Sequence, residues 1–223
     1  MGTADFLLSP AAQAVLHLVL AEPTRPFSAA ELASASKLAA GDVEQILPHL
    51  VASGVLTQAQ GAEPAPQTFH ANTAFVFYPE LRRIAFKSFA AAEPLRGMLH
   101  AKFRGSVLRA FSLGEDRASG ALGLLLVHGA LVPEKEVLDL ALRKLLKSGA
   151  IRLHVQAHVM SERRFAALKP GDALHARIAA DTCVDITPAP LRKAKSAPAA
   201  PATPATVAGL LERARRRLSG RAG

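Results

Sequence analysis

Between residues 9 and 71 the chain is interrupted so often by caps and breakers that only short elements fit. Ser9-Pro10 is a helix-start pair, with serine as N-cap and proline at the first helical position. Val15, Leu16, Leu18, Val19 and Leu20 then make an apolar face up to the Glu22-Pro23 stop. This pattern predicts a helix from Pro10 to about Ala21. After a proline-bounded turn at 23–26, Ser28 and Glu31 form a capping-box pair that opens a short helix through Ser36. A third helix is expected from Gly41 to Ser53, carrying Val43, Ile46, Leu47, Leu50 and Val51 at helical spacing, with Pro48 where it would break or kink the helix. Val55-Leu56-Thr57 and Thr68-Phe69-His70 read as strands on either side of a Gly/Pro-rich tip, Gly61 to Pro66. Three short helices followed by a two-stranded ribbon predict a winged helix-turn-helix over residues 1–78.

The pattern then changes. Connecting helices are expected over 79–104, the first from Pro79 to Ala92 with Leu81, Ile84, Ala85 and Phe89 inward, the second from Pro94 to Phe103. Val107 to Leu113 and Leu122 to Val127 are strand-like apolar runs. A helix from Pro133 to Lys147, with Val137, Leu138, Leu142, Leu145 and Leu146, and an alternating strand from Ile151 to Val159 follow. Ser161 starts a short helix with Phe165 and Leu168, and further strands are expected around Leu174 to Ile178 and Cys183 to Ile186. Residues 105–187 therefore read as a small α/β domain, and the chain as α+β. Residues 188–206 are mostly Ala, Pro, Ser and Lys, a linker composition. Residues 207–223 predict a basic amphipathic helix, with Val207, Leu210, Leu211, Ala214 and Leu218 on one face.

The formal charge of +9 is unevenly placed. Residues 191–223 hold eight basic residues against the single Glu212, a net +7, whereas residues 1–74 hold Arg25 and Lys37 against six acids, a net −4. The longest apolar runs, such as Ala11 to Ala21, fall short of the roughly 20 residues a membrane span needs. With no signal-peptide pattern at the N-terminus and Cys183 the only cysteine, a cytoplasmic protein without disulfides is expected.

The order of these elements, with Ala71-Asn72 and Tyr78-Pro79-Glu80-Leu81-Arg82 at the junction, resembles a bacterial family in which an arsenic-repressor type winged helix is fused to a nucleotidyltransferase-like domain. The resemblance covers most of residues 9–187. In that family an aromatic strand runs into Gly-Ser, which holds a nucleoside triphosphate, and the next strand opens with Asp-x-Asp, which chelates two magnesium ions. Here the matching stretch keeps the glycine as Gly114, has Glu115 for the serine, and has Ala121 and Gly123 for the two acids. The later strand, Ile151 to Val159, has no carboxylate, and Glu115 and Asp116, adjacent on a turn, diverge too far to share a cation. The expectation is a nucleotidyltransferase-like domain without catalysis: no catalytic residue, no metal ligand and no cofactor. His154 and His158, with His128 on a neighbouring strand, read as sheet-surface histidines, because a metal site needs further convergent donors. Cys183 lacks an activating signature.

What the resemblance implies is a DNA-binding transcriptional regulator, with the first helix and the Phe86–Phe89 segment forming a two-fold interface between copies. The third helix offers Gln45 and His49 to base edges but no Arg or Lys, so affinity must come from elsewhere. Arg82, Arg83 and Lys87 on the junction helix, and Arg213, Arg215, Arg216 and Arg217 in the tail, are the sources. DNA is thus the expected partner, bound with weak specificity. The competing readings are a protein-interaction module in which DNA binding has lapsed, and a residual nucleotidyltransferase. On the DNA reading, changing Arg213, Arg215, Arg216 and Arg217 to alanine weakens binding by a similar factor on all sequences. It also lowers the slope of log affinity against log salt by about 0.9 for each phosphate no longer neutralised, as a salt series on mixed DNA fragments will measure. An unchanged slope makes these arginines solvated charge only.

Overall fold

In the computed structural model, residues 2–59, 66–116 and 118–189 are described; most of the ribbon tip and everything from residue 190 onward, including the linker, the basic helix and its four arginines, lie outside them. The first helix, α1 (Pro10–Val19), is capped by Ser9, whose hydroxyl accepts from the Ala12 N–H at 3.2 Å. A two-residue strand, β1 (Phe27–Ser28), runs straight into α2 (Ala29–Ser36). Ser28 serves both elements. Its extended backbone pairs with a strand while its hydroxyl accepts from the Glu31 N–H and the Glu31 carboxylate accepts from its own N–H at 2.8 Å, completing the expected capping box.

Lys37 closes α2 in the left-handed conformation (φ 60), turning the chain into α3 (Ala40–Ala52). Pro48 lies within α3, which runs through it to Ala52, one residue short of the expected Ser53. Pro48 and Glu44 are both exposed, so the carbonyl that loses its N–H partner is on the solvent side of the helix. The ribbon strands are β2 (Leu56–Ala59) and β3 (Thr68–Ala71), and the sheet order is β1-β3-β2 with both pairings antiparallel. The strand β1, too short for its sequence to announce, sets Phe27 opposite Phe69 and buries both in a core with Leu16, Leu32, Val43 and Leu50.

The next helix, α4 (Tyr78–Lys87), stops five residues before the expected Ala92. Ser88 leaves helical geometry (φ −130, ψ −115), its hydroxyl donates to the Ile84 carbonyl, and the Ala90 N–H folds back to the Ala85 carbonyl at 2.8 Å. From there α5 (Ala92–Lys102) begins two residues ahead of Pro94, in the first turn where a missing N–H costs no helical bond. Four strands make the second sheet: β4 (Val107–Glu115), β5 (Leu122–His128), β6 (Val155–Ser161) and β7 (Val184–Asp185), in the order β6-β5-β4-β7. β5 and β6 are parallel, as their connection through α6 (Lys135–Lys147) requires, and the other pairs are antiparallel.

Leu122, Leu124 and Leu126 of β5 pack with Leu95 and Leu99 of α5 and Leu138 of α6, while Leu125 and Val127 pack on the opposite face with Phe111, Phe165 and Ile178. Helices α7 (Glu162–Ala166) and α8 (Ala173–Ala179) therefore cover that second face. The strand expected at Leu174 to Ile178 is a helix. Leu174 and Ile178 are four residues apart, a spacing that fits one face of a helix as well as one face of a strand, and the partly formed core under β4 took the helix. Likewise β6 starts at Val155 and not at Ile151, whose N–H instead closes the end of α6 on the Leu145 carbonyl. The chain is thus mixed α+β, and among the described residues no helix is long and apolar enough to cross a membrane.

Phe86 packs against both main cores, and His17 ties α1 to the α6–β6 turn, its Nε2–H donating to the Gly149 carbonyl at 2.8 Å. Its Nδ1 is buried without a partner, and burial, ahead of the nearby Arg152 charge, holds the imidazole below its usual value of 6.5. Because the folded state resists a proton that the unfolded chain accepts, His17 contributes stability that is present above pH 6.5 and lost as pH falls below it. We expect urea melts from pH 7.5 to 5 to show stability declining at the acid end, and His17→Gln to flatten that decline.

Candidate functional site

Two places gather the residues singled out in the sequence. The first is the exposed side of α3, where Gln45 and His49, one turn apart, both face solvent. Lys37 stands in the turn leading into this helix, exposed and in the left-handed conformation, a cation the sequence reading did not single out. Its position becomes legible only once the turn is built. Beside Gln45 and His49 the surface changes character: a groove of about 710 Å³ runs between α2, α3 and the ribbon, with Leu47, Pro48, Val51 and Phe69 in its lining and Glu44 as its one ionised side chain among the described residues.

The second place is the junction of α4 with the end of β4. Arg82 is not free surface charge. Its guanidinium pairs with Glu115 at 2.5 Å, lies 5.0 Å from the Phe86 ring centroid, and has its Nε–H 3.5 Å from the Leu20 carbonyl at the C-cap of α1. Arg83 pairs with Asp181 at 3.2 Å across an exposed gap, and Lys87 is exposed with no ion pair among those of the described residues. The junction helix therefore has less charge to offer a phosphate backbone than its sequence suggests.

At the end of β4 the strand bulges between Ser112 and Glu115, with Gly114 at φ 73, and a Cβ on Gly114 would sit 2.8 Å from that of Thr182. Glu115 and Asp116 diverge as expected: Glu115 turns to Arg82 on α4, and Asp116 pairs with Arg177 on α8 at 3.3 Å while accepting from the Ala118 and Ser119 N–H groups. Those two N–H bonds come first, ahead of Arg177, in holding the Asp116 carboxyl below the usual carboxylate range. Ala121 and Gly123 bring no ligand, and the Arg177 guanidinium lies directly against the space a Gly123 side chain would fill. The two magnesium ions implied by the resemblance do not fit these residues, since a fixed guanidinium stands beside the strand where carboxylates are required.

The histidines do not converge. His154 precedes β6 and lines a groove of about 330 Å³ with Asp139 and Arg143, His158 pairs in register with Leu125, and His128 donates through Nδ1 to the Gly129 carbonyl at 2.8 Å. Among the described residues no three His, Cys, Asp or Glu side chains group as metal ligands. Cys183 is half-buried, and burial pushes its thiol up, away from a reactive thiolate. The apolar face of α1, expected at a two-fold interface, is enclosed by its own protomer: Val15, Leu16, Leu18 and Val19 are buried, and Phe86 and Phe89 pack on the same core.

No protein-family model matches the chain, and neither a curated protein nor a solved structure is similar to it.

The contact of Arg177 with Gly123 can be measured. A methyl group at Gly123 also meets the Leu113 Cβ at 3.0 Å, so Gly123→Ala is expected to cost about 1–3 kcal/mol in urea melts. In an Arg177→Ala background the cost should shrink by more than about 0.5 kcal/mol, the threshold for coupled sites. Additive costs would place the guanidinium elsewhere.

Proposed function

We propose that the chain is a winged-helix DNA-binding protein of the transcriptional-regulator kind, whose second domain has the nucleotidyltransferase-like arrangement without its catalysis. The observation that carries this reading is the order α1-β1-α2-α3-β2-β3 with β1 laid against β3, which braces a helix-turn-helix with a three-stranded ribbon and leaves the outer side of α3 bare. On that side Gln45 and His49 supply hydrogen-bonding groups for base edges, and Lys37 supplies a cation at the level of the phosphates. The acidic balance of the N-terminal unit makes binding depend on cations elsewhere, the four tail arginines first among them. Absence of catalysis is supported by Ala121 and Gly123 in place of paired acids and by Arg177 held against Gly123.

A second reading is favoured by the groove along α3: a trough lined, among the described residues, by apolar side chains with one acid and no base fits a protein segment better than a phosphate backbone, as in an interaction module whose DNA binding has lapsed. Binding of the full chain to mixed genomic fragments across a salt series separates the two. On the DNA reading Gln45→Ala and His49→Ala each reduce discrimination between preferred and mixed sequences by about 1–3 kcal/mol. Lys37→Ala weakens all sequences alike and lowers the salt slope by about 0.9. No binding at low salt decides for the interaction module.

A further inference from the structure

We propose that the cleft between α4 and the β4 bulge binds a small organic dianion built on a flat apolar body. The cleft encloses about 260 Å³, just below the roughly 300–1,000 Å³ of drug-sized sites, and so suits a ligand of about a dozen heavy atoms. Three cations of one helix, Arg82, Arg83 and Lys87, line it against a single lining acid, Glu115. Arg82 is held by Glu115, the Leu20 carbonyl and the Phe86 ring and lends the cleft its charge, whereas Arg83 meets only Asp181 in an exposed pair, and a guanidinium has five N–H donors, so Arg83 keeps donors for an entering carboxylate. Lys87, in no described ion pair, adds a third positive group at the mouth.

The rest of the lining argues for the body of the ligand. The Phe86 ring already carries the Arg82 guanidinium over it, so the surface that suits a flat apolar group comes from the Tyr78 and Pro79 rings, and the Tyr78 hydroxyl supplies a neutral donor. Burial pushes the Tyr78 phenol up, so it remains a donor throughout the neutral range. Glu115 decides between classes of anion. Its carboxylate lies in the lining beside Arg82 and repels a polyphosphate, whose charge is dense, more than it repels two carboxylates spaced across a ring. The cleft therefore takes a dicarboxylate and not a nucleoside triphosphate or pyrophosphate.

The inference does not depend on DNA binding, and its test contains no DNA. Titration calorimetry on the full chain with phthalate, glutarate and inorganic pyrophosphate is expected to show phthalate bound, glutarate more weakly, and pyrophosphate weakest. Lys87→Gln and Arg83→Gln, both at exposed side chains, should each weaken phthalate about tenfold while leaving the ligand-free melting temperature unchanged. Glu115→Gln should tighten it, because Arg82 loses its competing acid. No phthalate binding, binding unaffected by either cation variant, or pyrophosphate bound more tightly than phthalate each overturns the proposal.

Discussion

The strand β5 cannot be left open on either side. Leu122, Leu124 and Leu126 point one way and Leu125 and Val127 the other, and every one of them is buried. A strand with both faces apolar needs helices above and below it, and parallel pairing with β6 through α6 supplies those of one face only. The second face must be closed by the chain beyond β6, which is why α7 and α8 fold back across the sheet. That closure also constrains the start of β5. Once α8 lies on this face, Arg177 reaches the sheet at Gly123, and a residue larger than glycine there has to displace it.

The ion pairs follow the same architecture. Arg82–Glu115 joins α4 to the β4 bulge with both side chains about a quarter exposed (27% and 24%), whereas Arg83–Asp181 is 47% and 68% exposed and Arg25–Glu31 is 49% and 53% exposed. Water screens the latter two, so they contribute about 0–1 kcal/mol each and remain open to exchange for a ligand. The Arg82 pair is more sheltered and backed by the Phe86 ring, so it fixes the position of α4. Arg177–Asp116, 26% and 31% exposed, is sheltered in the same way and ties α8 to the β4–β5 turn.

Local chemistry was readable from sequence and distant pairing was not. Ser9, Ser28 and Ser161 cap helices as their neighbours announced, since a cap needs only the next three residues. β1 escaped because two residues carry no period, and its existence depends on β3 forty residues away. Leu174–Ile178 was ambiguous because a four-residue spacing satisfies periods of 2 and 3.6 alike. Pro48 was legible as a proline inside a helix, but the side of α3 on which it stands, the exposed one, was not. At the site, the lack of an acid at Ala121 and Gly123 and the divergence of Glu115 from Asp116 were visible in sequence. The guanidiniums that hold them, from α4 and α8, were not, because a partner thirty-three or sixty-one residues away leaves no local trace.

Charge at the β4–β5 turn is supplied and answered within the chain. The start of β5 carries no acid, Glu115 and Asp116 on the turn point to different helices, and Arg82 of α4 and Arg177 of α8 each neutralise one of them. A guanidinium carries one charge, offers its donors in a plane and cannot present a bound water for activation, so it acts here as a counter-charge and not as a Lewis acid. Two cations set against two acids leave the turn itself close to charge balance, so its ion pairs act as ties, one holding α4 and the other α8 to the same end of the sheet, and any surplus of positive charge beside it has to come from Lys87, exposed on α4.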